Sequence, residues 1–298
     1  MNPGPFAKWL ILSLLAVLVF VGGMILLNRP QGVSSPRKTA ELEVWCAAAL
    51  KSPMEELALG YERAYGTKIQ LQYGGSGTLL AGIETTRRGD LFIPADDSFT
   101  DILRKKDLGA ESIPLVTLHP ALAVAKGNPK NIKGWQDLLD REDVRLGLCN
   151  PESAAIGRKI KEIADSRSAW ARMQSRSVVS KTTVTELAND LLAGALDATF
   201  LWDQTVKSMP GLEVVPCAEL ANQAAMVSCN VLRSTASPAG ALHFARWIAS
   251  PEHGTPVFRS HGFAAEGGDI WQETPEMLLF SGGVNRPAVE AVLKEFCE

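Results

Sequence analysis

Beyond residue 40, short apolar runs rich in Val, Ile and Leu alternate with longer segments of helical period. Short apolar runs favour buried strands, whereas an apolar spacing of about three to four residues favours helices. The first series predicts strands at 42–46, 68–73 and 91–94 and helices at 53–65 and 78–87. A second series follows the run 121–125, with a helix at 135–139, a strand at 145–149, a long helical stretch at 155–175, and further segments at 183–193, 198–202, 226–232 and 238–248.

This alternation is typical of an α/β protein whose sheets are mostly parallel and flanked by helices. Two series joined by two crossings of the chain predict two lobes around a cleft, with a binding site at the carboxyl ends of strands. We assign residues 41–122 plus 232–275 to lobe 1 and residues 123–231 to lobe 2. Residues 276–298 resemble the first strand and helix of lobe 1 and predict a truncated second repeat, with a chance resemblance as the alternative.

The amino terminus carries an apolar run at residues 9–27 that contains no charge and is flanked by Lys8 and Arg29. About 20 apolar residues are enough to span a bilayer. The run ends without the small-residue cleavage signal of a secretory peptide, so we favour an uncleaved signal-anchor at residues 1–28 over a cleaved signal. Residues 29–40 are interpreted as a flexible linker. The soluble part is expected in the periplasm or on the outer face of the inner membrane, tethered by this helix, or secreted if the signal is cleaved.

Composition narrows the class of protein further. The chain is 46% apolar and 21% charged, with a net charge of -3, which is ordinary for a globular protein and leaves no basic stripe for nucleic acid. Its five cysteines have no C-x-x-C spacing, which argues against a zinc or thioredoxin motif. Cys217 with Cys229 and Cys46 with Cys149 are both candidate disulfides, and the odd count, with Cys297 as the fifth cysteine, leaves at least one thiol free.

Catalytic and metal-binding motifs are absent from the sequence. The four histidines, His119, His243, His253 and His261, have no metal-ligand spacing, and no serine lies in a G-x-S-x-G turn. Asp96, which follows the predicted strand at 91–94, is interpreted as a helix cap rather than a metal ligand. We therefore predict a binding protein that is not an enzyme and uses no cofactor.

Three predicted strands run directly into helices through small or hydroxylated residues, and such turns suit anions because first-turn N–H groups lack intrahelical partners. The first turn, at 46–53, contains Ala48 and Ala49, which leave room for a ligand beside the backbone. Ser52 is predicted to cap the helix at 53–65 and to form a capping box with Glu55. Tight packing of the alanines is the structural alternative.

The second turn is the segment 74–78, where glycines allow close approach and Ser76, Gly77 and Thr78 supply hydroxyl and N–H donors. It matches neither the Walker loop nor the dinucleotide fingerprint, and a purely structural turn is the alternative.

The third turn is the segment 150–157, where Ser153 is predicted to cap a helix and Ala154 and Ala155 to present backbone donors. In the same lobe, Trp202 and Asp203 end a strand that faces the cleft. We expect Trp202 to form a wall of the cleft and Asp203 to orient polar groups around it. A buried Trp with a capping Asp is the structural alternative.

Taken together, these motifs resemble the molybdate/tungstate-binding periplasmic solute-binding proteins of ABC transporters, which have the type II periplasmic binding protein fold. The resemblance covers residues 41–265 and rests on the order and spacing of six segments, 44–49, 73–79, 89–96, 150–157, 202–203 and 239–254. It implies two α/β lobes that close on an oxyanion by a hinge in a monomer, and a permease and an ATPase as partners.

By position, the resemblance also implies a ligand set. Backbone donors near Ala48 and Ala49, the Ser76 hydroxyl, the Gly77 N–H, the loop at Ala155 and the edge formed by Trp202 and Asp203 would surround the oxyanion. Two departures remove hydroxyl ligands: Leu50 stands where the main family has Ser, and Trp202 where it has Tyr. Sulfate, phosphate or an organic acid is the alternative ligand, and a membrane-anchored sensor is the alternative role.

Overall fold

The computed structural model of the protein describes residues 41–265 and the single position 289. The predicted signal-anchor, the linker at 29–40, Cys297 and, apart from position 289, the predicted repeat from 276 lie outside the described residues. Within residues 41–265, no helix is both long and apolar enough to cross a membrane. Two five-stranded sheets organise this part of the chain.

The first sheet is the core of lobe 1. Its strands are β1 (Glu41–Ala47), β2 (Lys68–Gly74), β3 (Leu91–Ile93), β4 (Gly109–Leu118) and β10 (Ala225–Leu232). Its helices are α1 (Lys51–Tyr65), α2 (Ser76–Thr86), α3 (Asp97–Lys105), α9 (Pro238–Ala249) and α10 (Gly254–Ser260). The strand order is β2-β1-β3-β10-β4. Every residue of β3 is buried, which explains why its apolar run has no polar alternation.

The second sheet forms lobe 2 with the same number of strands. These are β5 (Pro120–Ala125), β6 (Leu146–Cys149), β7 (Ser177–Lys181), β8 (Ala198–Trp202) and β9 (Leu212–Val215). Its helices are α4 (Trp135–Asp140), α5 (Ala155–Asp165), α6 (Trp170–Arg176), α7 (Val184–Leu192) and α8 (Asp203–Ser208). The strand order is β7-β6-β8-β5-β9, and β6 and β8 are buried throughout.

Each sheet is mixed, so the prediction of mostly parallel sheets is wrong. In lobe 1, β1 pairs in parallel with β2 and β3, whereas β10 pairs antiparallel with β3 and β4. In lobe 2, β6 pairs in parallel with β7 and β8, whereas β5 pairs antiparallel with β8 and β9. The antiparallel pairs all involve strands next to a crossing between the lobes. A crossing without a helix leaves strand direction free, and apolar runs do not encode it.

The chain passes between the lobes at two short crossings. β4 ends at Leu118 and β5 begins at Pro120, so a single residue, His119, separates the two sheets at the first crossing. The second crossing lies between Val215 and Ala225. Sheet membership therefore assigns the strand at 225–232 to lobe 1, whereas the sequence boundary gave residues up to 231 to lobe 2. An apolar run identifies a strand but not the sheet that it joins.

The helix α1 begins earlier than predicted. A 3₁₀ turn at Ala48–Leu50 leads directly into the helix at Lys51, and Leu50 occupies the N-cap position without a side-chain hydrogen bond. Ser52 consequently lies inside the first turn. The predicted capping box between Ser52 and Glu55 is wrong, because the 3₁₀ turn moves the helix start toward the amino terminus.

The helical stretch predicted at 155–175 is two helices, α5 and α6. Ser168, between them, has a φ of 53°, a left-handed conformation that an α-helix cannot contain. The N-cap of α5 is Ala154, not Ser153, and it makes no side-chain cap. By contrast, the interpretation of Asp96 is confirmed, since its side chain accepts the Ser98 N–H at 2.8 Å at the start of α3.

The four cysteines within residues 41–265 are free thiols. Cys46 and Cys229 are fully buried in lobe 1 and Cys149 is buried in lobe 2, so neither candidate disulfide is formed in the structure. Burial raises the pKa of the Cys46 thiol well above its ordinary value and raises those of Cys149 and Cys229 as well. These three thiols behave as small apolar core side chains.

Candidate ligand-binding site

A small cavity of about 20 Å³ lies on the seam between the two lobes. Lobe 1 contributes residues from the carboxyl ends of β1 and β2, and lobe 2 contributes the last residue of β8 and the starts of α5 and α7. This is the place where ligands bind in open α/β sheets. The lining residues are Ala47, Ala48, Ala49, Gly74, Gly75, Ser76, Ala95, Ala154, Ala155, Ile156, Thr183, Val184 and Trp202.

The cavity brings together residues from all three predicted turns. Of the predicted site residues, those that line it are Ala48, Ala49, Ser76, Ala154, Ala155 and Trp202. Trp202 is only 1% exposed and forms a wall of the cavity from the end of β8. Gly77, Thr78 and Asp203 lie nearby but do not line it, and their contacts explain why.

The helices that begin at the cavity have no side-chain caps. Gly75 is the N-cap of α2 and Ala154 is the N-cap of α5, and neither makes a side-chain cap hydrogen bond. First-turn N–H groups have no partner within the helix and lie at the positive end of the helix dipole. Two such helix starts, one from each lobe, therefore direct partial positive charge to the same small space.

Ser76 adds a hydroxyl group to these backbone donors. It is the first residue of α2 rather than part of a loop, and it is 1% exposed. Its Oγ accepts a hydrogen bond from the Ala95 N–H at 3.1 Å. Because this bond uses the oxygen as an acceptor, the hydroxyl hydrogen is still available to donate to a ligand.

Gly77 and Thr78 use their backbone donors on the other lobe. The Gly77 N–H donates to the carbonyl oxygen of Ser153 at 2.9 Å, and the Thr78 N–H donates to the same oxygen at 3.4 Å. The Ser153 carbonyl oxygen is thus the acceptor for the Gly77 N–H, which the sequence analysis expected to donate to a ligand oxygen. We name this contact between Gly77, Thr78 and Ser153 the seal.

A second contact between the lobes involves Gln204, which the sequence motifs did not identify. Gln204 is 2% exposed, and its Nε2 donates to the carbonyl oxygen of Ala49 at 3.4 Å and to the Thr205 hydroxyl at 3.0 Å. Its Oε1 is buried without a partner among the described residues. On another part of the seam, the Arg158 guanidinium lies 5.5 Å from the ring centroid of Phe99. The lobes are in contact on several sides of the cavity.

Asp203 acts at the crossing rather than in the cavity. Its N–H donates to the His119 carbonyl at 2.9 Å, and its Oδ1 accepts the His119 N–H at 3.3 Å. Its Oδ2 forms an ion pair with Lys207 at 2.7 Å. Asp203 therefore fixes the single residue between β4 and β5 at the first crossing.

All residues that line the cavity are uncharged at neutral pH. The carboxyl group of Asp96 lies one residue after Ala95, and burial raises its pKa, with Ser98 and Lys159 acting in the opposite direction. Within residues 41–265, no group of His, Cys, Asp and Glu is placed to hold a metal ion. The cavity can therefore hold an anion through dipoles and hydroxyls, without desolvating a lysine or arginine.

Thr183, Val184 and Ala95 also line the cavity, although the sequence did not single them out. Thr183 caps α7: its hydroxyl accepts the Glu186 N–H at 3.3 Å, and the Glu186 carboxylate accepts the Thr183 N–H at 2.9 Å. Strand β7 leads directly into helix α7 at this position. The criterion that identified the other three turns, a strand followed at once by a helix, therefore also applies to Thr183. Ala95 gave no comparable signal.

Two α/β lobes, two short crossings and a cavity on the seam between them define a fold of the periplasmic-binding-protein type. Residues 42–264 match the bacterial extracellular solute-binding proteins, and the chain belongs to this family. The family places the protein outside the cytoplasm and implies that it binds a solute. The family is described by solute binding and not by a catalysed reaction.

One relative by sequence and two solved structures illustrate the similarity, and the two structures share the fold but differ in the ligand that their names give. A Haemophilus influenzae protein described as a binding protein is 27% identical over 228 residues, which cover 76% of this chain and 91% of that protein. The periplasmic molybdate-binding protein of Azotobacter vinelandii is 18% identical with a TM-score of 0.62, covering 76% of this chain and 99% of that one. A periplasmic thiamin-binding protein is 14% identical with a TM-score of 0.66, covering 86% and 94%. At these identities the solved structures show the fold alone.

Proposed function

We propose that this protein captures one compact tetrahedral oxyanion, molybdate or tungstate, between its lobes and delivers it to an ABC permease and ATPase for import. The observation that carries the proposal is the cavity, which has about 20 Å³ of free space and lies between the uncapped starts of α2 and α5. Pockets for drug-sized ligands hold roughly 300–1,000 Å³. Because about 20 Å³ is little more than the space of one water molecule, the cavity favours a single small group over a drug-sized ligand, and a tetrahedral oxyanion would require the lobes to move slightly apart.

The chemistry of the lining supports an anion over a cation or an apolar molecule. The start of α5 and the Ser76 hydroxyl offer donors, since the Gly77 and Thr78 N–H groups of α2 are bonded to Ser153. The positive ends of both helix dipoles favour negative charge. Ligand oxygens would accept these hydrogen bonds, and each bond to a charged acceptor is roughly twice as strong as a neutral one. Size then discriminates between oxyanions, because a smaller ion leaves buried donors unpaired.

Selectivity for molybdate over other oxyanions has to come from backbone geometry. Leu50 is fully buried, and Trp202 has no hydroxyl, so neither supplies the side-chain ligand that the resembled family has at its position. The alternative ligand remains sulfate, phosphate or an organic acid. The same titration that tests molybdate separates these ions by their order of affinity.

The apolar run at 9–27 supports a protein tethered to the outer face of the inner membrane. It also favours the second candidate role, a membrane-anchored sensor that binds the same ion at the same site. Deleting the gene of this protein while leaving a neighbouring permease and ATPase intact separates the two roles. Loss of molybdate uptake supports import, and an altered transcriptional response with normal uptake supports sensing.

The first test is calorimetric titration of the full-length protein, in detergent, with molybdate, tungstate, sulfate and phosphate. Ser76→Ala removes one hydrogen bond to a charged ligand, worth about 1.5–3 kcal/mol, and should weaken binding about 10- to 100-fold. Ser260→Ala is the matched control, because Ser260 is exposed and its hydroxyl contacts only its own helix among the described residues. Absence of heat with all four ions rejects the oxyanion assignment.

A further inference from the structure

The seal between the lobes lies at the edge of the cavity. Gly75 and Ser76 line the cavity immediately before Gly77 and Thr78, and Ala154 lines it immediately after Ser153. The contact uses backbone atoms on both sides, since two N–H groups of lobe 1 donate to one carbonyl oxygen of lobe 2. Any change that moves the Ser153 loop away from α2 therefore opens the cavity to solvent.

Two glycines make this approach of the two backbones sterically feasible. A Cβ atom at Gly77 would lie 1.7 Å from the carbonyl oxygen of Glu152. A Cβ atom at Gly75 would lie 2.3 Å from the carbonyl oxygens of both Ser153 and Thr182. All three clashes are with backbone atoms of lobe 2, which cannot rotate aside as the end of a long side chain can.

Conformation within lobe 1 does not require glycine at either position. Gly75 has a φ of -71° and a ψ of 143°, which any residue adopts, and Gly77 does not have a positive φ. Gly77 also lies inside α2, where alanine is favoured over glycine by roughly 0.5–1 kcal/mol. Alanine at Gly77 should therefore suit lobe 1 by itself and clash only when the lobes meet.

We propose that Gly75 and Gly77 are positioning residues for lobe closure, because they admit the Ser153 loop and so allow the lobes to close over the ligand. This inference depends on the proposed function in one respect, namely that the ligand is an oxyanion; the steric argument for the two glycines does not depend on the ligand. A ligand that needs the closed state binds with an apparent affinity reduced by the fraction of molecules able to close. Blocking closure should thus weaken binding without unfolding either lobe.

The test combines hydrogen exchange with calorimetry on the full-length protein in detergent. In the wild type, molybdate should slow exchange at the amides of Gly77 and Thr78, which donate to Ser153. In Gly77→Ala this protection should disappear, and the dissociation constant for molybdate should rise at least about tenfold. The melting temperature of the ligand-free variant should equal or exceed that of the wild type, which a general folding defect would not produce.

Gly60→Ala is the matched control, since its Cβ would lie 3.3 Å from the Trp247 side chain, within lobe 1 and away from the seam. It should bind and close like the wild type. Wild-type affinity together with protected amides in Gly77→Ala overturns the proposal.

If the wild type binds none of the four ions, the proposed function fails, and the role of the glycines is then tested by hydrogen exchange without ligand. Equal exchange rates at the Thr78 amide in the wild type and in Gly77→Ala overturn that role.

Discussion

At the scale of single residues, Asp197 and Arg145 form a bidentate ion pair on lobe 2. Arg145 donates to Asp197 through Nη2 at 2.8 Å and Nε at 3.0 Å, and the Arg145 N–H donates to the same carboxylate at 2.9 Å. The Asp197 side chain is only 9% exposed. These bonds lower the pKa of Asp197 below its ordinary value of 3.8, with the Arg145 side chain as the largest cause. The pair joins the starts of β6 and β8, far from the neutral cavity.

This pair predicts a pH dependence of folding stability. Because the pKa of Asp197 is lower in the folded than in the unfolded state, its contribution is present above the unfolded pKa near 4 and is lost as pH falls through the lower folded pKa. Urea unfolding between pH 2 and pH 6 should show a steeper loss of stability on acidification in the wild type than in Asp197→Asn. Parallel curves for the two proteins would show that the pair does not contribute.

At the scale of secondary structure, the helix starts fall into two kinds. α3 and α7 are capped by the side chains of Asp96 and Thr183, whereas α2 and α5 begin after Gly75 and Ala154 without such caps. Capping side chains use the first-turn donors and stabilise the helix, whereas small N-cap residues leave those donors for another group. The starts of α2 and α5 are two of the eight without a side-chain cap among the ten helices within residues 41–265, and both belong to turns that line the cavity.

The capping box of α7 predicts a clear stability difference. Thr183→Ala removes the acceptor of the Glu186 N–H and should lower the free energy of unfolding by about 1 kcal/mol. Thr183→Ser keeps the hydroxyl and should stay close to the wild type. Urea unfolding of both variants measures the difference, and equal stabilities for alanine and serine would contradict the role of the hydroxyl as a cap.

At the scale of the whole molecule, the lobes are joined by short crossings and touch at the seal and at Gln204. Asp203 bonds both backbone groups of His119, the single residue between β4 and β5. In the proposed closure, this crossing acts as a hinge that keeps its local geometry while the lobes move as rigid bodies. The cavity and the seal both consist of residues from the two lobes, so both form only when the lobes are in contact.

This hinge predicts that Asp203→Ala loosens the crossing without disrupting either sheet. Hydrogen exchange at the His119 amide should become faster, because the acceptor Oδ1 is removed. Lys207→Ala is the matched control, since it breaks the ion pair with Asp203 but leaves the bonds to His119 in place. Faster exchange at His119 in both variants would assign the effect to the ion pair instead of the hinge bond.

Much of the fold and part of the site are local properties of the sequence. Apolar periodicity located the strands at 68–73 and 198–202 within a residue of Lys68–Gly74 and Ala198–Trp202. The small residues after β1 and around the starts of α2 and α5 marked turns that do line the cavity. These features can be predicted from the sequence because the burial of a strand and the start of a helix depend on residues that are close together in the chain.

The sequence by itself thus determined the α/β class, the positions of most elements and the turns that form the cavity. Only the tertiary structure decided the directions of the crossing strands, the place of Asp203 at His119, and the use of the Gly77 and Thr78 donors by Ser153. Each of these depends on which distant segments meet across the seam. The physical reason is that an N–H group has the same local geometry whether its acceptor is a ligand or the other lobe, and the sequence around it does not distinguish the two.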